Sequence, residues 1–427
     1  MRNAFFVLCL ASWTACEWEP TGVVDSGTDS GAPLDAGATA DAGVKDSGVA
    51  LDGGFDAGLS DAGPIDGGSV DASVVDAGPI DAGPFDAGNG PPIVAALNQW
   101  TWVPFPDSTC GNGSPAGLAV NMGDAGFDLL VYMAPGGLCW DYPSCFQSFL
   151  PPSHITDTFE ADGGTPLREA EGLAAAGLFD RTNPTNVFRN ANYVYVPYCT
   201  ADLHRGRSVQ TFTGVDGGSV EVWHHGAYNV DAFLKRLRPT FPLVTRLWLM
   251  GSSAGGYGAL FNMPSFVESF PFAKVHLFAD GAPPVQPAGA RFDVWTQAWN
   301  LPPTPGCFSC GTSLPSHLDF VATKFPNSRI GLAAYQSDLI ISYFWDYAPP
   351  ALPVGALATQ HFDTHANSKY FLLPGLLHYF VNAPSYNDRL PDGGVNTGIP
   401  LSVDSSVNAR EWIRRWAVGD PAWASTR

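Results

Sequence analysis

The chain has 427 residues, enough for one large domain or two ordinary ones, and its 45% hydrophobic and 12% aromatic content can bury a sizeable core. Only 15% of residues are charged and the net charge is −20, which leaves no basic face for nucleic-acid phosphates or for electrostatic docking on anionic lipid. No apolar run approaches the ~20 residues needed to span a bilayer, and 47 Gly with 37 Pro rule out a long helical bundle or coiled coil.

The first 16 residues read as an export signal: Met1-Arg2-Asn3, the apolar stretch AFFVLCLAS, then Trp13-Thr14-Ala15-Cys16. Ala15-Cys16 resembles a bacterial lipobox, in which that Cys is lipidated after cleavage. Trp13 departs from the Leu-like residue usual three positions before it. The alternative is an ordinary cleaved signal. Either way the protein is expected outside the cytoplasm, as a cell-surface or periplasmic lipoprotein or else secreted. Its only membrane contact would be an N-terminal lipid anchor.

Residues 17–92 are expected to form a disordered spacer. Between 21 and 90 there are thirteen Asp, no Glu and a single basic residue, Lys45, so the rest of the chain is an ordinary acidic domain. Asp41, Asp46, Asp56, Asp61, Asp66, Asp71, Asp76, Asp81 and Asp86 fall on a five-residue grid of DAG, DGG and DSG units. Few large apolar side chains are available to offset the entropy of ordering, and evenly spaced like charges keep the chain extended. Calcium binding is the rival, but an EF-hand loop needs oxygens at alternate positions and a closing Glu, which this grid does not supply.

The catalytic domain is expected over 93–427. Buried strands are predicted at Phe127–Met133, Tyr193–Pro197, Leu243–Met250, Val275–Ala279, Ile330–Tyr335 and Tyr370–Leu373. Helix-like stretches between them include Tyr228–Arg236 and Tyr257–Asn262. The strands are near-continuous in hydrophobicity, as when both faces of a parallel sheet are covered, so one α/β domain is expected.

Six cysteines lie in this domain, an even number that in an exported chain suggests disulfides. Cys139/Cys145 and Cys307/Cys310 are the local candidates, which leaves Cys110 with Cys199. A zinc site would want a second close pair near Cys307 and Cys310. A redox CxxC would want a strand–helix setting, whereas Pro302–Pro315 reads as loop.

Following the first predicted strand, Pro135-Gly136-Gly137-Leu138 occupies the position of the esterase loop that aims backbone N–H groups at a developing oxyanion. Gly137 and Leu138, with Ala254, are the candidate donors. The strongest motif is Gly251-Ser252-Ser253-Ala254-Gly255-Gly256, a G-x-S-x-G between a predicted strand and a small-residue helix. It marks Ser253 as nucleophile; a phosphate loop would want a Lys after the glycines, where Tyr257 stands. A serine hydroxyl needs a base, and the base an acid that fixes its tautomer. His378 follows the last predicted strand and Asp338 follows the one before, in the order Ser, acid, His. Asp280, which also ends a strand, is the competing acid. His361 and His365 are competing bases, but they precede a strand instead of following it.

GGLCWDYPSC (136–145), YCTADLHRG (198–206), WHHGAYNVDAFL (223–234), GSSAGGYGA (251–259), YQSDLIISYF (335–344) and PGLLH (374–378) occur in one order. As a set they resemble the pectin acetylesterase family, which includes the Notum lipid esterases and many secreted bacterial members. The resemblance runs from about Cys110 to His378. It implies an α/β-hydrolase fold with Ser253 as nucleophile, Asp338 as acid and His378 as base, which raises Asp338 above Asp280, and it implies a Cys139–Cys145 bridge. Pro135 and Leu138 depart from the family's usual glycine and smaller residue.

The expectation is therefore an α/β-hydrolase-like chain, a mostly parallel sheet flanked by helices and preceded by a disordered spacer. It would be a monomeric serine carboxylic-ester hydrolase without cofactor or metal, working through an acyl-enzyme, its partner an ester substrate such as acetylated polysaccharide. The rivals are a lipase- or polyester-depolymerase-like esterase with the same triad, and a catalytically inactive surface binding protein.

Overall fold

The computed structural model describes residues 90–124, 126–348, 351–381 and 407–427. The export signal, the lipobox-like Cys16 and the spacer up to residue 89 lie outside the described residues.

Among the described residues ten strands form: β1 Trp100–Phe105, β2 Ala116–Asn121, β3 Asp128–Met133, β4 Asn192–Val196, β5 Ser208–Thr213, β6 Ser219–His224, β7 Arg246–Ser252, β8 Lys274–Asp280, β9 Ile330–Tyr335 and β10 Ser368–Leu373. The α-helices are α1 Gly164–Ala176, α2 Gly226–Thr240, α3 Ala254–Ser269, α4 Arg291–Ala298, α5 Pro315–Lys324, α6 Leu339–Trp345, α7 Val354–Leu357 and α8 Ala409–Val418. Eight strands make one sheet in the order β1-β2-β4-β3-β7-β8-β9-β10; β5 and β6 pair separately as an antiparallel hairpin. From β4 to β10 every neighbouring pair is parallel, and only β2 runs against its neighbours. The sheet is mostly parallel and flanked by helices, an α/β-hydrolase-like fold.

All six predicted strands are present. They are legible because both faces are covered: every residue of β4 and β9, and all of β7 and β8 after the first, is buried. The helices cover those faces by periodicity. In α2, Ala227, Val230, Phe233, Leu234 and Leu237 are buried at three- and four-residue spacings. On α8, Trp412 and Trp416 pack on Phe278 of β8, and Gly331 of β9 leaves room for both indoles. Asn408 caps the start of α8 by accepting the Glu411 amide, and Gly419 ends it at φ +72°. Full burial of each such large side chain contributes about 1.5–3 kcal/mol.

Three disulfides form, Cys110–Cys199, Cys139–Cys145 and Cys307–Cys310, the pairs expected. They are the bridges of a chain that matures in an oxidising compartment outside the cytoplasm.

The connections also set the site. From β3 the chain moves outward to β4, then returns to place β7 on the other side of β3. Strand order thus reverses between β3 and β7, and the loops after both strands open on the same crevice, where open parallel sheets bind ligands.

Candidate active site

Ser253 stands between the end of β7 and the start of α3, with φ +51° and ψ −123°. A non-glycine residue in that region costs about 1–3 kcal/mol and persists only where its surroundings over-determine it. Here they do. The Ser253 amide donates to the Asp280 carbonyl at 2.8 Å, and the Ser253 carbonyl accepts from the Gly256 amide at 2.9 Å. The flanking glycines are required by close approach: a Cβ on Gly255 would run into the Met133 carbonyl, and one on Gly251 into the Gly255 backbone.

The loop after β10 brings His378 over the elbow. Its Nε2 lies 2.7 Å from Ser253 Oγ and its Nδ1 lies 2.7 Å from Asp338 Oδ2. Asp338 is fully buried and caps α6: its Oδ1 accepts the amides of Ile340 at 2.9 Å and Ile341 at 3.0 Å, which leaves Oδ2 for the imidazole. The two loops are tied by backbone on either side of Asp338. The Ser337 amide donates to the Gly375 carbonyl at 3.1 Å and the Leu339 amide to the Leu376 carbonyl at 3.2 Å. The imidazole is therefore oriented by elements that are themselves braced.

Opposite lies the loop after β3. Gly137 adopts φ +73°, and the side chain of Leu138 turns into the main core instead of towards the crevice. Among the described residues, the amides of Gly137, Leu138 and Ala254 donate no hydrogen bond. Their neighbours are pinned: the Ser153 amide holds the Gly136 carbonyl at 2.8 Å, and the Cys139 amide donates to Ala201 at 3.0 Å. His204 Nε2 donates to the Ala134 carbonyl at 3.1 Å. Burial pushes His204 down to about 4, so it stays neutral and its tautomer is set by that carbonyl.

The structure brings Ser253, His378 and Asp338 into one hydrogen-bonded chain and leaves the competitors elsewhere. Asp280 does not bond the imidazole; it receives Ser252 Oγ at 2.8 Å and the amides of Phe380 and Val381 at 2.9 and 2.8 Å. His361 Nδ1 and His365 Nε2 share Asp319 on α5, at 2.8 and 3.0 Å. Among the described residues no group of three or more His, Cys, Asp or Glu is placed to hold a metal ion.

Sequence reasoning gave no part to His204 or Asp202. Asp202 is fully buried and accepts Thr200 Oγ1 at 2.6 Å with the amides of Gly206 and Gly226 at 3.0 and 2.7 Å. Burial raises it to about 6. Together with the positive φ of Ala201, Leu203 and His204 it shapes the turn beneath the β3 loop. The available signal was the YCTADLHRG block, whose residues carry no spacing that announces a role.

Fold and site together define a class: an α/β-hydrolase-like protein with a serine on a strained strand-to-helix elbow, facing a histidine–aspartate pair. Residues 101–282 match the family described as Pectinacetylesterase. The chain is 28% identical over 166 residues to palmitoleoyl-protein carboxylesterase NOTUM of Schmidtea mediterranea, covering 37% of this chain and 29% of that one. It is 28% identical over 159 residues to the Drosophila melanogaster NOTUM, covering 36% and 22%. With the Homo sapiens NOTUM it shares 25% over 178 residues, covering 40% and 33%. The chain thus spans a third or less of the length of these relatives. Over these stretches it is similar to the pectin acetylesterase and Notum proteins.

Proposed function

We propose that this chain is a serine carboxylic-ester hydrolase. The observation that carries the proposal is the unbroken pair of 2.7 Å hydrogen bonds from Ser253 through His378 to buried Asp338. In this mechanism Ser253 Oγ attacks the ester carbonyl carbon while His378 Nε2 takes its proton. Asp338 holds the imidazole in the tautomer that presents Nε2 as acceptor and stabilises the imidazolium. The amides of Gly137, Leu138 and Ala254 receive the oxyanion of the tetrahedral intermediate. Collapse returns the proton from His378 to the departing alcohol and leaves an acyl-Ser253. Water, deprotonated by His378, then releases the carboxylic acid and restores the serine. These steps call on no cofactor.

The substrate proposed is an acetylated polysaccharide, in keeping with the Pectinacetylesterase match. A second reading, a lipase- or polyester-depolymerase-like preference for longer acyl groups, is favoured by one observation. Phe149, Tyr343, Leu376 and Leu377 are exposed on the segments that border the site, and Tyr343 is tied to Ser148 at 3.0 Å. The relatives named palmitoleoyl-protein carboxylesterases point the same way. Ser253→Ala should keep the fold and lose nearly all hydrolysis of a chromogenic acetate ester, and a phosphonate probe should label Ser253 alone. Wild-type-like turnover by that variant would sink the mechanism. A series of acyl chain lengths, run beside acetylated pectin and xylan, separates the two substrate readings.

The proposal includes export with Cys16 as lipid anchor and residues 17–92 as tether. A chain beginning at Pro91 should keep esterase turnover and thermal midpoint. Mass spectrometry of the membrane fraction should find diacylglyceryl on Cys16; an unmodified, freely secreted protein would remove the anchor.

A further inference from the structure

Asp280 lost the contest for the imidazole, yet it is a fully buried carboxylate with no cationic side chain bonded to it. Such a group is expensive to keep, and its partners indicate what it is kept for. Every partner belongs to one of two segments. Its main-chain carbonyl accepts the amide of Ser253, and its Oδ2 accepts the hydroxyl of Ser252, the residue paired with it across β7 and β8. Its carboxylate oxygens also accept the amides of Phe380 and Val381, just past His378. The next residue, Gly281, sits at φ +60° and has no Cβ, which a side chain would drive into the His378 carbonyl and Tyr379. One strand end therefore grips the serine turn with one hand and the histidine loop with the other.

We propose that Asp280 is a positioning residue for the ester-hydrolase reaction, clamping the loop after β10 so that His378 Nε2 stays within reach of Ser253 Oγ. This rests on the Ser253–His378–Asp338 reading and adds a fourth side chain to it. The clamp works only with an ionised carboxyl. A protonated carboxyl gives up one acceptor, so Ser252 or one of the two amides loses its partner. Burial raises Asp280 to about 6, against the opposing effect of the two amides, Ser252 and the nearby His378. The other titratable groups that face it are Tyr132 on β3, which reaches it through Ser252 Oγ at 3.0 Å, Tyr335 on β9 and Tyr379. All three are phenols that are neutral in the acid range. The acid limb of the rate profile should therefore carry the protonation of Asp280.

The test uses the full chain and a soluble acetate ester. Asp280→Asn should lower kcat at least tenfold at pH 8, leave KM within twofold, slow phosphonate labelling of Ser253 in proportion, and make the acid limb less steep by one proton. Ser252→Ala removes one donor that favours the ionised form, so its acid limb should move to higher pH with a severalfold lower kcat. If Asp280→Asn does not fold, the Ser252→Ala limb decides. Wild-type kcat and an unchanged limb in either folded variant, with Ser253→Ala inactive, would overturn the clamp alone. Turnover by Ser253→Ala would remove the nucleophile reading and the clamp with it.

Discussion

The carboxyl ends of β8 and β9 each present a fully buried aspartate to the same crevice, and each aspartate accepts two backbone amides. Asp280 is the last residue of β8, held in register with Ser252, so its side chain stays at the level of the sheet. Asp338 lies beyond the end of β9, where it caps α6. There one oxygen is satisfied by the helix terminus and the other is free to meet His378 Nδ1. Two carboxylates of equal burial thus differ by where the chain has stopped being a strand. The acid that orients an imidazole is the one that has risen above the rim; the one within the ladder holds backbone amides and the Ser252 hydroxyl.

Substitution of each in turn is the strongest way to break this contrast. Asp338→Asn should lower kcat by about 10³–10⁴-fold with the thermal transition retained, because the amide favours the wrong imidazole tautomer. The loss in Asp280→Asn should be one to two orders of magnitude smaller. A reversed ranking in steady-state kinetics would mean that Asp280 is the acid.

A second difference is electrostatic. Burial raises Asp280 to about 6 in the folded chain, while an unfolded aspartate titrates near ~3.9. Between those values the folded state binds the proton more tightly, so stability falls as pH rises through the window. From pH 4.5 to 7.5 this one group should cost about 2 kcal/mol. Urea titrations of wild type and Asp280→Asn at both pH values isolate it. The stability of wild type relative to the variant should decline on going to pH 7.5; a constant difference would mean that the carboxyl is not desolvated as drawn.

Smaller still is the effect of crowding the clamp. A Cβ at Gly281 meets the His378 carbonyl and a φ of +60° disfavours any side chain. Gly281→Ala should lose about 1–2 kcal/mol in thermal unfolding and lower kcat by displacing His378, with KM little changed. Wild-type kcat would show that the His378 loop does not depend on its seat against β8.

What the sequence disclosed follows the same division. Ser253, His378 and Asp338 were legible because a motif and a chain order encode them, and the six parallel strands because burial on both faces writes a continuous apolar run. Edge strand β1 was not: Trp100, Thr101 and Trp102 are half-buried, Pro104 is exposed, and no clean period survives. Strand β5 of the β5–β6 hairpin does alternate, with Asp216-Gly217-Gly218 at the turn, but its polar Ser, Thr and Gln residues hide it among loops. Helix α3 runs on to Ser269, through Pro264 and beyond the Tyr257–Asn262 stretch read from the sequence. The clamp role of Asp280, which the sequence offers only as a competing acid, and the part of His204 were silent for a different reason. Their partners are backbone groups about 100 and 70 residues away, the amides of Phe380 and Val381 and the carbonyl of Ala134, and main chain leaves no mark in a residue pattern.

The other wall of the crevice offers the mildest test. His154 follows Ser153, whose amide holds Gly136, and its ring bridges Asp157 at 2.7 Å and Glu169 at 3.0 Å. Burial alone would lower its pKa, but the two carboxylates outweigh burial and carry it to about 9. The unfolded histidine titrates near ~6.5. A raised basic group contributes its full stability below the unfolded value and loses it as pH climbs through the folded one. The Asp157 side chain is 51% exposed and that of Glu169 39%, so solvent screening reduces the contribution to about 1 kcal/mol or less. His154 has φ +57°, which Asn tolerates better than most residues. His154→Asn should therefore keep the turn and lose only the ion pairs. Its thermal midpoint should lie a few degrees below wild type at pH 6, converge with it by pH 10, and approach it at high salt. A gap that stays constant from pH 6 to 10 would mean that packing, and not the charged ring, secures this side of the loop after β3.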